Sequence, residues 1–445
     1  MFHAQGCAPD GGSQRGLEDA VAGLFYASRR DDSFSIMNIL VICPDIPFPL
    51  TDGRSLILYN VFKRLSARHT VYLLAFESPR LDERAETVLR GIFAEIHAMG
   101  SERRSRSAFR YVRNAFSWNS GFMMKDRYPA RYRECIARIA ELVRSKKIDV
   151  VHFAAINSAE FVHAAEGCGT VLHLVDSMTL EMRRALGAWR SPLRYLRKIR
   201  RVLWYLRFSW YEKRVMNLFD ASITVGAKDY EVLTSLAPDA NVVLIPNGVD
   251  AEYFSVAPNR DSPRPTVLFT GNMSFPPNID AVTYFHDEVF PLIRKHVANA
   301  RFVIAGTSPP GRIRRLSDGE SVVVTGYVDD IRTVMAEADV IVVPMRIGGG
   351  IKNKILESMA FGKPVVATSV GAEGVNARNG ESILIADAPV EIANAVMRLL
   401  RDPALCDRIA AEARKLIEEK YTWNTAAERY EAVFENVLRR RRHSQ

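Results

Sequence analysis

Between Pro344 and Thr368 the chain reads PMRIGGGIKNKILESMAFGKPVVAT: an apolar strand end, three glycines, two lysines, a helical segment carrying Glu357, and a second apolar run. Glycines at a strand-to-helix turn let a ligand approach the backbone closely, and the start of the next helix offers free N–H groups and a positive dipole end to a phosphate. Gly349 and Gly350 belong to that turn, and Lys352 and Lys354 add full charges beside the same anion. Glu357, one turn into the helix, is spaced to accept hydrogen bonds from the vicinal hydroxyls of a ribose. The same residues also fit a flexible glycine loop with solvated lysines and a surface glutamate, and spacing alone leaves both readings open.

Two further candidates stand at predicted strand ends. His152 follows Asp149-Val150-Val151 and Asp176 follows His173-Leu174-Val175, positions from which both side chains are expected to point into a cleft. A buried histidine with a backbone partner is the alternative for His152, and a helix cap the alternative for Asp176. Other chemistry is excluded by what the chain lacks. There is no G-x-x-x-x-G-K-[ST], no G-x-G-x-x-G after the first strand, no G-x-S-x-G and no H-E-x-x-H, which argues against an ATPase, a dinucleotide dehydrogenase, a serine hydrolase and a zinc protease. No Asp-x-Asp occurs, so no metal is expected to hold a nucleotide diphosphate. The five cysteines, Cys7, Cys43, Cys135, Cys168 and Cys406, are scattered without metal-ligand spacing and point to a reducing compartment.

The elements that must position these residues alternate as strand and helix. Asn38 to Ile42 reads as a buried parallel strand, followed by a Pro-rich loop from Pro44 to Gly53, a helical pattern from Leu56 to Leu65 and a strand from Thr70 to Phe76. Further strands are predicted at 149–153, 170–175, 221–225 and 242–245. After Pro246-Asn247-Gly248, the segment from Ala257 to Pro265 replaces periodicity with Pro and polar residues and marks a boundary. A second series follows, with strands at 267–270, 301–305, 322–326, 340–343, 364–368 and 383–385. Two doubly wound α/β halves imply a cleft between them, with ligands at the carboxyl ends of the strands. The divisions expected are a polar extension over 1–36, an N-terminal domain over 37–255, a C-terminal domain over 266–420, and a closing helix with basic tail over 421–445.

At 445 residues, 48% hydrophobic and 25% charged, the chain has the composition of a folded protein of two or three domains. Its net charge is +9, and Arg183 to Arg214 carries eleven basic residues against Glu212 alone. That segment interleaves its charges with Trp189, Tyr195, Leu203, Trp204, Phe208 and Trp210, the pattern of an interfacial helix drawn to anionic lipid; a packed helix with a solvated basic side is the alternative. No nucleic-acid reader motif accompanies the charge, so no nucleic-acid partner is expected. No apolar run spans a bilayer and residues 1–36 lack a signal-peptide pattern, which predicts a cytoplasmic protein, peripheral at most at the inner membrane face.

The Gly-rich turn followed by K-I-L-E-S-M-A-F-G-K-P-V-V-A-T resembles the donor site of glycosyltransferase family 4, retaining nucleotide-sugar transferases with the GT-B arrangement of two Rossmann-like domains facing each other across a cleft. The likeness extends to V-L-F-T-G-N-M at Val267 to Met273, P-N-G-V-D at Pro246 to Asp250, G-Y-V-D-D at Gly326 to Asp330 and A-D-V-I-V-V-P at Ala338 to Pro344. It implies a nucleoside diphosphate sugar donor on the C-terminal domain and a saccharide or lipid-linked saccharide acceptor on the N-terminal domain, in exopolysaccharide or envelope polysaccharide synthesis. Glu357 matches the second carboxylate of the family's Glu-x7-Glu pair, whereas the first would fall on Gly349. The cations that clamp the diphosphate after the F-x-G strand have no counterpart beside Gly271: Asn272 stands there, leaving Lys352 and Lys354 as substitutes. Gly53 matches a turn near the donor phosphate, though turn geometry alone also explains it.

The resemblance further implies a front-face reaction in which Asp176 and then His152 orient the acceptor hydroxyl and no side chain forms a covalent intermediate. An epimerase of the same architecture, a catalytically silent nucleotide-sugar or lipid-binding module, and a basic membrane scaffold are the rival readings.

Overall fold

The computed structural model describes residues 36–50, 52–78, 81, 83–100, 124–187, 195–255 and 264–444. The expected N-terminal extension apart from Ile36, most of the 257–265 boundary and the 188–194 part of the basic segment lie outside them.

Two parallel sheets organise the chain. The first joins β1 (Asn38–Cys43), β2 (Thr70–Ala75), β3 (Glu95–Ala98), β4 (Val150–Phe153), β5 (Gly169–Leu174), β6 (Ala221–Thr224) and β7 (Val242–Leu244) in the order β3-β2-β1-β4-β5-β6-β7. The second joins β8 (Thr266–Thr270), β9 (Arg301–Ala305), β10 (Val322–Gly326), β11 (Val340–Val343), β12 (Val365–Ala367) and β13 (Leu384–Ile385) in the order β10-β9-β8-β11-β12-β13. Continuous apolar runs make the central strands, because helices cover both faces: Ile39 to Cys43 and Val340 to Val343 are fully buried. β3 escaped the sequence reading because it is a half-buried edge strand with Glu95 and His97 in it, and so carries no apolar run.

Strand order reverses between β1 and β4 in one sheet and between β8 and β11 in the other. At such reversals the connecting helices pass to opposite faces and leave a crevice at the carboxyl ends of the strands. The helices that bear on the crevices are α1 (Gly53–Leu65), α2 (Met178–Gly187), α3 (Tyr195–Met216), α4 (Pro276–Tyr284), α5 (Asn353–Ala360) and α6 (Trp423–Ser444).

The chain crosses between the two halves twice, side by side. Val249 N–H donates to the Tyr421 carbonyl at 2.7 Å, and a Cβ on Gly248 would lie 2.5 Å from the Trp423 nitrogen, so a glycine lets the two passages touch. Beyond this crossing α6 packs back on the first half. Trp423, Ala426, Ala427, Tyr430, Val433, Phe434 and Val437 join a core with Ile57, Val61 and Phe62 of α1. Arg414 ties the crossing to the second half by donating to the carbonyls of Ala251 at 2.9 Å and Ala360.

Candidate active site

The second half supplies a cationic cradle at its β8/β11 crevice. The loop after β11 enters α5, whose N-terminus has no side-chain cap, which leaves the positive end of the helix dipole at this turn without a side-chain acceptor. Gly350 has φ +67°, a left-handed conformation that favours glycine. Lys352 is buried and its Nζ donates to the Gly350 carbonyl at 2.8 Å. Lys354 reaches across to α4, donating to Asn278 Oδ1 at 2.8 Å with its ammonium 4.0 Å from the Phe269 ring centre. Burial lowers the pKa of Lys352 to about 8 and that of Lys354 to about 7; Glu357 pulls the latter back up and Lys352 pushes it further down. Burial raises Glu357, against the pull of Lys354.

Gly271 lies directly beside this pair: a Cβ there would stand 2.8 Å from Lys354 Nζ and 2.9 Å from Asn278 Nδ2. Its neighbour Gly306 is tighter still, since a Cβ would run into the Gly271 carbonyl oxygen. The carboxyl ends of β8 and β9 therefore present bare backbone to the crevice. Asn272 does not act as a clamp here, because its side chain turns into its own loop and accepts from Ser274 N at 2.9 Å and Ser274 Oγ at 2.8 Å.

The first half faces this cradle with the turn after β5. Ser177 caps α2, its Oγ accepting from Leu180 N at 3.2 Å, so Asp176 is left outside the helix as a cleft residue and is not the cap. The turn is fixed from behind by two buried carboxylates. Glu212 of α3 accepts from Met178 N at 2.7 Å, Thr179 N at 3.1 Å and Ser177 Oγ at 3.2 Å, while Asp229 accepts from Ser177 N at 2.8 Å. Asp176 Oδ1 then comes within 3.3 Å of where a Cβ on Gly350 would be, so the two halves meet at this point. Crowding by the surrounding protein raises the Asp176 pKa, and Lys352 and Arg184 oppose the rise.

A second bridge joins the halves beside it. Arg184 of α2 pairs with Glu373 through Nη2 and Oε1 at 2.6 Å, and its Nη1 occupies the space that a Cβ on Gly349 would take. Asn247 Nδ2 donates to Asn353 Oδ1 at 3.1 Å at the start of α5.

Gly349, Gly350, Gly271, Lys352, Lys354, Glu357 and Asp176 thus converge on one crevice. His152 does not. It lies inside β4, paired with Val41, and is fully buried against Phe62, His173, Tyr430 and Phe434, with ring centres 5.2 to 5.9 Å away. Alternation along the strand sends this side chain under α6, into the core and away from the cleft. Burial and the neighbouring His173 hold its pKa well below the usual value, so it is neutral. Gly53 is the first residue of α1, beside the Asp52 cap that accepts from Ser55 N at 3.0 Å, and nothing stands within 4 Å of a Cβ built there.

Sequence reasoning missed Arg184, Glu373, Asn278, Glu212 and Asp229. Arg184 was counted only within the basic run, and no local pattern marks the others; their roles come from distant segments brought together.

Comparison with known proteins bears on the family and the fold. Residues 52–253 match the model for Glycosyltransferase Family 4 and residues 264–402 the model for Glycosyl transferases group 1. An uncharacterized 44.6 kDa protein in the cps region of Klebsiella pneumoniae is 23% identical over 397 residues, 86% of this chain and 96% of that one. The phosphatidyl-myo-inositol mannosyltransferase of Mycobacterium leprae is 29% identical over 237 residues, 51% of this chain and 61% of that one. Among solved structures, Anabaena HepE in complex with UDP superposes with a TM-score of 0.64 at 15% identity over 90% of this chain and all of that one. The two parallel sheets and their facing crevices are the GT-B fold. The chain belongs to the family 4 and group 1 glycosyltransferases.

Proposed function

We propose that the protein transfers a sugar from a nucleoside diphosphate sugar, held by the second half, to a hydroxyl of a saccharide or lipid-linked saccharide held by the first, with retention at the anomeric carbon. The observation that carries this reading is the convergence on one crevice of an uncapped helix start, Lys352, Lys354 and Glu357, opposite Asp176.

Glu357 accepts from the ribose hydroxyls, and the diphosphate lies at the start of α5 beside Lys354. Breaking the bond between the anomeric carbon and the phosphate oxygen leaves negative charge on the diphosphate. Cations and N–H groups already fixed around it lower the barrier without reorganising. The acceptor oxygen bonds to the anomeric carbon on the face the phosphate leaves, and its proton passes to a departing phosphate oxygen. Asp176 orients the acceptor hydroxyl. The lysines supply the neutralising charge, so no metal is required in this scheme.

The acceptor is placed at the membrane surface. Val202, Leu203, Leu206 and Trp210 of α3 are exposed, with Lys213 and Arg214 exposed at its end and Arg214 stacked 5.3 Å from the Trp210 ring centre. Apolar and cationic groups on one exposed helix favour an anionic lipid interface. Among the described residues no helix is long and apolar enough to cross a membrane. The Klebsiella relative from a cps region supports a role in exopolysaccharide or envelope polysaccharide synthesis, and the UDP complex of HepE makes uridine donors the first to try.

The test is thermal stabilisation by nucleoside diphosphates and nucleotide sugars, since a ligand of the native state raises the melting temperature. The stabilising donor is then incubated with lipid-linked saccharides, and the anomeric coupling of the product is read by proton NMR. A selective shift and an anomer matching the donor are expected. No shift with any nucleotide, or an inverted product, overturns the reading.

A further inference from the structure

The donor placement proposed above puts ribose at Glu357, diphosphate at the start of α5 and acceptor at Asp176. The sugar links the last two and must therefore lie over Gly349 and Gly350, where neither loop residue offers a side chain. The room beside Gly349 is taken by Arg184 from the opposite half. Its partner Glu373 comes from the loop after β12, and the pair is only partly open to solvent, with side chains 35% and 15% exposed.

We propose that Arg184 and Glu373 together form the subsite for the transferred sugar and select a neutral one. This rests on the donor reading. A guanidinium offers N–H donors in a fixed fork and a carboxylate offers acceptors only, so a paired Arg and Glu present both to vicinal sugar hydroxyls. The guanidinium is already engaged by Glu373 at 2.6 Å, and an anionic sugar would have to displace that carboxylate or sit against it. A sugar carboxylate is therefore rejected. Because each half contributes one member, the subsite is complete only when the halves are together, whereas the nucleotide contacts lie wholly in the second half. Glycine at 349 is what leaves room for the guanidinium; a branched side chain there would push it out.

The test is calorimetric titration of UDP, UDP-glucose, UDP-glucuronate, GDP and GDP-mannose into the full chain and into the Arg184→Ala and Glu373→Ala variants. The wild type is expected to bind one neutral nucleotide sugar and to bind UDP-glucuronate more weakly. Each variant should keep the matching nucleoside diphosphate within about twofold, which also shows that it is folded, while losing about tenfold or more in affinity for the nucleotide sugar. Glu373→Ala alone should narrow the gap between UDP-glucose and UDP-glucuronate. Variants that lose nucleoside diphosphate and nucleotide sugar in the same proportion, or lose neither, overturn the sugar subsite and leave the donor reading standing. A wild type that binds none of the five ligands removes both.

Discussion

With the donor placed as proposed, Lys354 gives nucleotide binding a pH dependence with a predictable sign and size. Its ammonium is half-buried between Asn278 and Phe269, and desolvation lowers its pKa to about 7. Raising pH through that value removes the cation that faces the diphosphate, so donor affinity must fall on the alkaline side. If only the ammonium form binds, the apparent Kd scales as one plus ten to the power of pH minus pKa, so going from pH 6 to pH 8.5 weakens binding by ~30-fold, or ~2 kcal/mol. Lys352, lowered to about 8 by its own burial, adds a smaller factor of ~4 over the same range where it also faces the anion. The assay is calorimetric titration of the stabilising nucleotide sugar, whose diphosphate stays fully ionised throughout, in two buffers of different ionisation enthalpy. Proton uptake on binding should appear above pH 7, because the anion draws Lys354 back to its charged form. Lys354→Gln should bind weakly at pH 6 and lose most of the pH dependence. A wild-type Kd that is flat from pH 6 to 8.5, or a variant that keeps the full slope, refutes the assignment of Lys354 to the phosphate.

Three other outcomes are expected. His152 and His173 are both fully buried and neutral, His173 lowered to about 3, so folding stability is complete above the ordinary histidine value and declines as pH falls below it; at pH 5 His173 should have cost ~2 kcal/mol, and His152 acts in the same direction. Urea midpoints at pH 7 and pH 5 should converge in His173→Leu relative to wild type, and an unchanged difference counts against the linkage. Gly306→Ala drives a Cβ into the Gly271 carbonyl and should cost ~2 kcal/mol or more while abolishing nucleotide binding, read by melting and titration; a variant that binds as wild type does shows that the β8 and β9 ends are not the ligand ledge. Glu357→Ala should weaken nucleotide binding by ~10-fold or more through lost charged hydrogen bonds, whereas Asp176→Asn should leave it intact and slow transfer; equal nucleotide affinities in the two variants would sink this division of labour.

Much of the architecture was legible because it rests on local signals. Buried parallel strands must be continuous apolar runs, and Asn38 to Ile42 or Val340 to Val343 have few other uses. The glycine turn with Lys352, Lys354 and Glu357 was visible for a similar reason: a strand-to-helix turn and the helix start that follows are built from consecutive residues. Asp176 and His152 show where local reading ends. Both were predicted at strand ends, but one residue of register decides whether a side chain enters the cleft or the core, and packing of α6 over β4 and β5 settles His152 inside. Asp176 stays in the cleft only because Ser177 takes the cap and Glu212, 36 positions later, holds the turn.

By itself, then, the amino-acid sequence determined the two α/β halves, the family resemblance and the glycine-rich turn with its two lysines, since each is written in neighbouring residues whose spacing matches the geometry of one element. Only the tertiary structure decided that Lys354 reaches Asn278, that Arg184 leaves the basic run to fill the space over Gly349, and that Glu373 meets it there. Those pairings join segments 76 and 189 positions apart. No local propensity encodes such contacts, because they exist only once two sheets have twisted their strand ends toward a common crevice.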